Sequence, residues 1–172
     1  IAHILTDSGA QRIFVAGQAA SRAVARAIET HAALAGIDQV ELTATGLAAL
    51  AETGAGVCDD DVEAARSVAT MDSTATIVYT SGTTGTPKGA RISHSNLADG
   101  AVNIVPWAKD IVLNTPVPKL LMFLPLAHIL ARAVQYFALV AGIQVAHTSD
   151  TSNVTKIMRA YQPTWLLVVP RV

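Results

Sequence analysis

Short runs of β-branched residues alternate with longer stretches of helical period along almost the whole chain. That alternation restricts the fold more than any other feature. Residues 12–16 form the first candidate strand, and 18–34 an alanine-rich candidate helix closed by Gly36. Residues 39–43 suggest a second strand, while 44–58, rich in Gly, Ala and Thr, are ambiguous. Asp60 followed by Glu63 resembles a capping signal for a helix to about Ala69. Residues 75–80 are a strand, 90–92 a shorter one, and Ser93 or Ser95 caps a helix over 95–105. Three prolines and Asn114 make 106–118 an irregular connector. A strand at 119–124 follows, then a helix at 126–141 ended by Gly142, a strand at 143–147, a helix at 151–161 and a final apolar strand at 164–169. Repeated β-then-α units predict an α/β fold with a mostly parallel sheet and helices on both faces. Ligands of such sheets bind at the carboxyl ends of the strands.

One of those ends carries an unusual polar segment. Residues 79–89 read Tyr-Thr-Ser-Gly-Thr-Thr-Gly-Thr-Pro-Lys-Gly. Glycines let a backbone turn sharply and bring its N–H groups to an anion. Ser81, Thr83, Thr84 and Thr86 add hydroxyls, which can donate to an anion or turn a lone pair to a metal ion. Lys88 adds positive charge and Pro87 stiffens the turn before it. The segment is equipped to hold a polyphosphate. It is not a Walker loop: counted from Gly82, the second glycine position is Pro87, and Lys88 is followed by Gly89 rather than Ser or Thr. A dinucleotide fingerprint fails too, because the third glycine after Gly54 and Gly56 would fall on Asp59.

A second cluster lies at another strand end. Leu124-Pro125-Leu126-Ala127-His128 opens the helix at 126–141, so His128 and Arg132, four residues apart, share a face with Gln135 nearby. Leu126, Ile129, Leu130, Ala133 and Phe137 fall on the opposite side. By periodicity alone a satisfied polar stripe is the safer account of that face.

Charge and cysteine content exclude several classes. The net charge is −1 with no basic stripe, which argues against a nucleic-acid partner. The single Cys58 permits no internal disulfide and fits a reducing compartment. Asp59, Asp60 and Asp61 beside it disfavour a thiolate, and they read as a solvated helix start rather than a metal site. Residues 120–147 are mostly apolar, but Pro125, His128, Arg132, Gln135 and Gly142 interrupt them, so a buried strand and helix fit better than a membrane span. No signal peptide opens the chain, which begins at Ile1 and stops at Val172 directly after an apolar run; it reads as a piece of a longer protein.

The segment 79–89 resembles the signature loop of the adenylate-forming superfamily of acyl-CoA synthetases, luciferases and peptide-synthetase adenylation domains. Leu124–His128 followed by Arg132 is similar to the second motif of its long-chain fatty acyl-CoA synthetase branch, as are Pro163-Thr164 and Val169-Pro170-Arg171-Val172. The resemblance runs from about Thr74 to the end. The family often has an acidic residue just before the Arg, where this chain has Ala131.

The resemblance implies that residues 1–172 are a fragment of one AMP-binding N-terminal domain, with the C-terminal domain absent. The implied enzyme is a ligase that activates a fatty acid with ATP to acyl-AMP and passes the acyl group to coenzyme A. ATP and AMP would be held by Thr80, Ser81, Gly82, Thr83, Thr84, Gly85, Thr86, Lys88 and Gly89, with Thr84 facing Mg²⁺. Lys88 and His128 would be catalytic, Lys88 on the β- and γ-phosphates and His128 where nucleotide and acyl carboxylate meet. The family's aromatic-Gly-x-Thr-Glu motif has no counterpart, because the chain contains no Thr-Glu dipeptide. That motif, the ribose-binding Asp and the mobile domain with its own Lys are expected beyond Val172, and the piece alone is expected not to turn over. The alternative is another adenylate-forming ligase: a fatty acyl-AMP ligase, an aryl-CoA ligase or an amino-acid adenylation domain. The implied location is the cytoplasm, with peripheral contact at the inner membrane face left open.

Overall fold

A computed structural model of the chain describes residues 1–81, 85–110 and 112–169. It resolves into two compact units, each described by itself. The first comprises Ile1–Thr70 and Tyr79–Ala90; the second comprises Met71–Val78 and the chain from Arg91 onward.

The first unit opens with α1 (Ala2–Ser8), β1 (Arg12–Val15), α2 (Gln18–Thr30), a 3-10 turn at Ala32–Leu34 and β2 (Asp38–Glu41). β1 and β2 pair in parallel from Arg12 opposite Asp38 to Val15 opposite Glu41, with α2 as the crossover. Arg12 and Asp38 also form an ion pair of 2.7 Å across the pair. Leu5, Val15, Val24, Leu34 and Val40 are buried here. The predicted helix at 18–34 is thus two pieces, broken at His31, whose backbone is extended.

The ambiguous stretch 44–58 is mostly helix: α3 (Ala44–Thr53) follows β2. Thr43 caps it, its side chain accepting from Gly46 N at 3.1 Å. Gly46 obscures the helical signal, yet a methyl group there would stand 2.2 Å from the carbonyl oxygen of Glu41. α4 (Asp59–Ser67) begins one residue before the predicted cap. Cys58 is its N-cap, and the Asp61 carboxylate accepts from Cys58 N at 3.4 Å and from its thiol at 3.1 Å. Glu63 pairs instead with Arg66 on the exposed face.

β3 (Thr74–Ser81) and β4 (Pro87–Ser93) pair as a two-stranded ribbon. So short a connection cannot make a parallel crossover, so the ribbon is antiparallel. β4 runs directly into α5 (His94–Ala108). Ser93 is the cap: it accepts from Asn96 N at 3.1 Å, and Asn96 Oδ1 accepts from Ser93 N at 3.1 Å. The helix passes through Pro106, which the sequence assigned to the connector. Proline in the final turn removes one hydrogen bond, and the turn persists because Ala108 is buried in the core.

The second unit is built around β5 (Lys119–Met122), α6 (Ile129–Val140) and β6 (Gln144–His147), followed by α7 (Val154–Tyr161). β5 and β6 are parallel, from Lys119 opposite Gln144 to Met122 opposite His147. The predicted strand at 164–169 is reduced to a single parallel bridge between Leu120 and Trp165. Since Leu120 also pairs with Val145, β5 is the middle of three segments. The β5–β6 and β6–Trp165 connections run in opposite directions, and right-handed crossovers then put α6 and α7 on opposite faces. α6 shares its core with Leu120, Met122, Ala101, Ala108 and Ile143 through Ala131, Phe137 and Ala138. Phe137 also meets Trp165 edge to face, with centroids 5.9 Å apart.

Two expectations change here. Leu126, Ile129 and Leu130 are exposed, and the buried face of α6 is formed by Ala131, Phe137 and Ala138. Among the described residues the strands form three two-stranded pieces, two of them parallel, within the expected α/β class. α6 ends as its glycine predicts: Gly142 has φ 67°, Ile143 N donates to Ala138 O at 2.9 Å, and Gly142 N to Leu139 O at 3.4 Å. Among the described residues no helix is long and apolar enough to cross a membrane.

Gly46→Ala is expected to destabilise the protein by roughly 1–3 kcal/mol, as overpacking does, despite alanine's better helix propensity. The crowding atom is a backbone oxygen held between β2 and α3, which cannot swing away. An unchanged or higher Tm would show that the approach relaxes freely.

Candidate functional site

The polar segment lies in the first unit. β3 delivers Thr80 and Ser81 at its carboxyl end. Gly82, Thr83 and Thr84, and with Thr84 the expected metal-facing hydroxyl, lie outside the described residues. Gly85 has φ 82°, a conformation that suits glycine, and is exposed together with Thr86. Lys88 and Gly89 were expected in the loop. Both belong to β4, which starts at Pro87. Turn-forming composition suggested a loop, but pairing with β3 extends the strand through it.

Lys88 is exposed and, among the described residues, has no hydrogen-bond or ion-pair partner. The residue before it is anchored, because His3 Nε2 donates to Pro87 O at 2.9 Å. Across the ribbon, Tyr79 Oη donates to Asp7 at 2.6 Å, and that carboxylate pushes the Tyr79 phenol up from its ordinary value. Sequence reasoning missed His3 and Asp7, since neither lies near the motif in the chain.

The described groups here are hydroxyls, N–H groups around a glycine in a left-handed conformation, and one ammonium. They are donors, and they fit a polyphosphate anion. Among the described residues no group of three or more His, Cys, Asp or Glu side chains is arranged to hold a metal ion.

His128 lies in the second unit, past the carboxyl end of β5. Helix α6 begins three residues later than predicted, so His128 is its N-cap rather than a residue inside it. Residues 125–128 form a turn closed by His128 N donating to Pro125 O at 3.0 Å. His128 lines a cavity of about 800 Å³ with Phe123, Leu124, Pro125, Thr148, Ser149, Thr151, Val154, Val168 and Val169. It also borders a smaller apolar space of about 250 Å³ with Leu124, Leu130, Ala131 and Val169. The main cavity opens at the carboxyl ends of β5 and β6, where a parallel sheet binds ligands. Its walls are apolar, with three hydroxyl residues and one imidazole as polar points.

Arg132 points back along the turn. Its Nε and Nη2 donate to Leu126 O at 3.1 and 2.9 Å, and its Nη1 donates to Thr76 Oγ1 on β3. Its partners are therefore a carbonyl and a hydroxyl. Gln135 does not join them, and its Oε1 is buried without a partner among the described residues.

The loop beyond the cavity hydroxyls is ordered by Asp150. Its carboxylate accepts from Asn153 Nδ2 at 2.7 Å, Ser152 Oγ at 2.7 Å and Asn153 N at 3.1 Å. Those donors, led by the Asn153 amide, hold the Asp150 carboxyl below the usual aspartate value.

With this geometry the chain can be compared with known proteins. It matches the AMP-binding enzyme family over residues 1–172. The long-chain-fatty-acid–CoA ligase FadD15 of Mycobacterium tuberculosis (strain ATCC 25618 / H37Rv) is 35% identical over 172 residues, covering 98% of this chain and 28% of that protein. Long-chain-fatty-acid–CoA ligase 1 of Homo sapiens is 37% identical over 98 residues, covering 56% of this chain and 14% of that protein. Among solved structures, the N-terminal domain of FACL13 from Mycobacterium tuberculosis superposes with a TM-score of 0.62 at 24% identity, covering 94% of this chain and 38% of that one. At that identity the structure speaks to the fold alone.

Asp150 gives a measurable outcome. A carboxyl whose folded pKa is depressed contributes stability above its unfolded value and loses it as pH falls through the folded one, here below about 4. An NMR titration of the carboxyl carbon should place its midpoint below the ordinary aspartate value, and Asn153→Ala should move it back up. A normal midpoint in the unsubstituted protein would contradict the hydrogen-bonded loop.

Proposed function

The chain belongs to the AMP-binding enzyme family, and from that premise we propose that it is a segment of a long-chain fatty acid–CoA ligase, within the N-terminal domain of that enzyme. The observation that carries this reading is the 35% identity to FadD15 across 98% of the chain. The chain spans 28% of that relative's length.

In this reading the Thr80–Gly89 segment binds the polyphosphate of ATP. The exposed ammonium of Lys88 balances charge on the β- and γ-phosphates, and the N–H groups around Gly85 and Thr86 add fixed donors. Mg²⁺ would arrive bound to the nucleotide and spread the same charge, with Thr84 its candidate protein contact. His128 takes the fatty carboxylate at the mouth of the apolar cavity and orients it. A carboxylate oxygen attacks the α-phosphorus and forms the acyl-AMP bond as the bond to pyrophosphate breaks. The thiol of coenzyme A then gives up its proton to solvent and its sulfur attacks the acyl carbonyl carbon, AMP leaves with the bonding electrons, and a thioester remains. Neither step uses a protein nucleophile. This reading places the enzyme in the cytoplasm.

ATP–pyrophosphate exchange by the full-length protein, over a panel of fatty, aryl and amino acids, tests the reading. Exchange that depends on long-chain fatty acids is expected, followed by thioester formation with coenzyme A. Exchange with aryl or amino acids alone would move the protein to another adenylating class, and fatty exchange without thioester formation would make it an acyl-AMP ligase. Lys88→Ala is expected to lower kcat/KM for ATP by about 100-fold, the scale of losing one preorganised electrostatic contact. The isolated 172-residue chain is expected to form no acyl-CoA from palmitate, ATP and coenzyme A.

A further inference from the structure

We propose that Arg132 is a positioning residue, which sets the His128 turn against strand β3 by bridging Leu126 O and Thr76 Oγ1. The inference rests on the ligase reading only for its kinetic consequences. The bridge itself is a matter of geometry within the second unit. Nε and Nη2 of one guanidinium converge on Leu126 O at 3.1 and 2.9 Å, while Nη1 reaches Thr76. Leu126 lies two residues before His128, inside the turn closed by His128 N on Pro125 O. The backbone of Arg132 holds the same turn from its other end, donating from its N to His128 O at 3.3 Å. One residue thus grips the turn by backbone and side chain and ties it to a strand 56 positions away.

Salt bridging does not explain Arg132. Among the described residues it has no carboxylate partner. The neighbouring position is Ala131, fully buried in the core, where an acid would be desolvated. A planar fork can satisfy a carbonyl and a hydroxyl in different directions at once, whereas the point charge of lysine cannot hold the same geometry. Because His128 borders both spaces at the end of β5, any slack in the turn displaces its ring from the position a bound carboxylate would meet. β3, the strand that anchors the fork, ends at Thr80 and Ser81.

Thr76→Val tests this with little risk to the fold, because valine keeps the β-branched shape and suits a strand. In the full-length protein it is expected to lower kcat for fatty-acid-dependent ATP–pyrophosphate exchange about tenfold through misplacement of the acyl side, with KM for ATP unchanged. Thr76→Ser, which keeps the acceptor, should restore kcat. In an Arg132→Lys background Thr76→Val should cause no further loss, since the bridge is already gone. The His128 ring resonances should shift in Thr76→Val and return in Thr76→Ser, whether or not the protein adenylates fatty acids. Unmoved resonances, an unchanged kcat in an active enzyme, or losses that multiply in the double variant would each overturn the proposal. A wild-type protein that lacks exchange but shows the resonance shift would uphold the bridge and reject the ligase reading instead.

Discussion

The second unit depends on one strand being covered on every side. Leu120 is fully buried, pairs with Val145 along β6 and bridges Trp165 on its other edge. A strand in that position must be apolar on both faces, which is why 120–122 reads Leu-Leu-Met without alternation. α6 shares a core with this strand through Ala131 and Ala138, whose small side chains allow close approach, while Phe137 fills the space toward Trp165. The placement of His128 follows from this arrangement. A strand that ends at Met122 and a helix that starts at Ile129 leave only a tight turn between them, and that turn opens at the carboxyl edge of the sheet.

The readable parts of the sequence were those written in local chemistry. Ser93, offered beside Ser95 as a cap, and Gly142 after α6 signal helix ends through hydrogen bonds that span only a few residues. The features that local patterns misrepresent depend on distant partners. Pro106 reads as the start of a connector because the burial of Ala108 cannot be seen locally. Gly46 hid α3, since its value lies in the nearness of Glu41 O. The apolar run 164–169 looked like a strand, yet only Trp165 finds a bridge. The same division holds at the candidate site. The motif positions of Lys88 and His128 were legible. The strand that carries Lys88, the His3 contact behind it and the Thr76 contact of Arg132 were not, because each joins segments far apart in the chain.

Several carboxylates are taken up by partners nearby in the fold. Asp38 is taken by Arg12, Glu63 by Arg66, Asp61 by the start of α4, Asp7 by Tyr79 and Asp150 by the loop before α7. These are mostly exposed pairs whose individual worth is small, but each occupies an acid locally. Lys88 and Arg132, like most of the Lys and Arg side chains, have no carboxylate partner among the described residues. A lysine on a ribbon beside a glycine in a left-handed conformation, with no acid to neutralise it, is suited to an anion that comes and goes. Internal pairing would have to be broken before such an anion could bind.

Arg132 shows the complementary case. The related branch often carries an acid just before this arginine, and its replacement by Ala131 could be taken as a weakened motif. The packing argues otherwise. Position 131 faces the core formed by Leu120, Met122 and Phe137, and an ionised carboxylate there would carry a large desolvation penalty. With alanine in that place the helix sits close to the sheet, and the guanidinium finds neutral acceptors on the turn and on β3. A neutral clamp of this kind adds no negative charge near His128, where a substrate carboxylate would have to approach. The missing acid is thus compatible with an anionic substrate and with the close packing of α6, and both follow from the same small side chain.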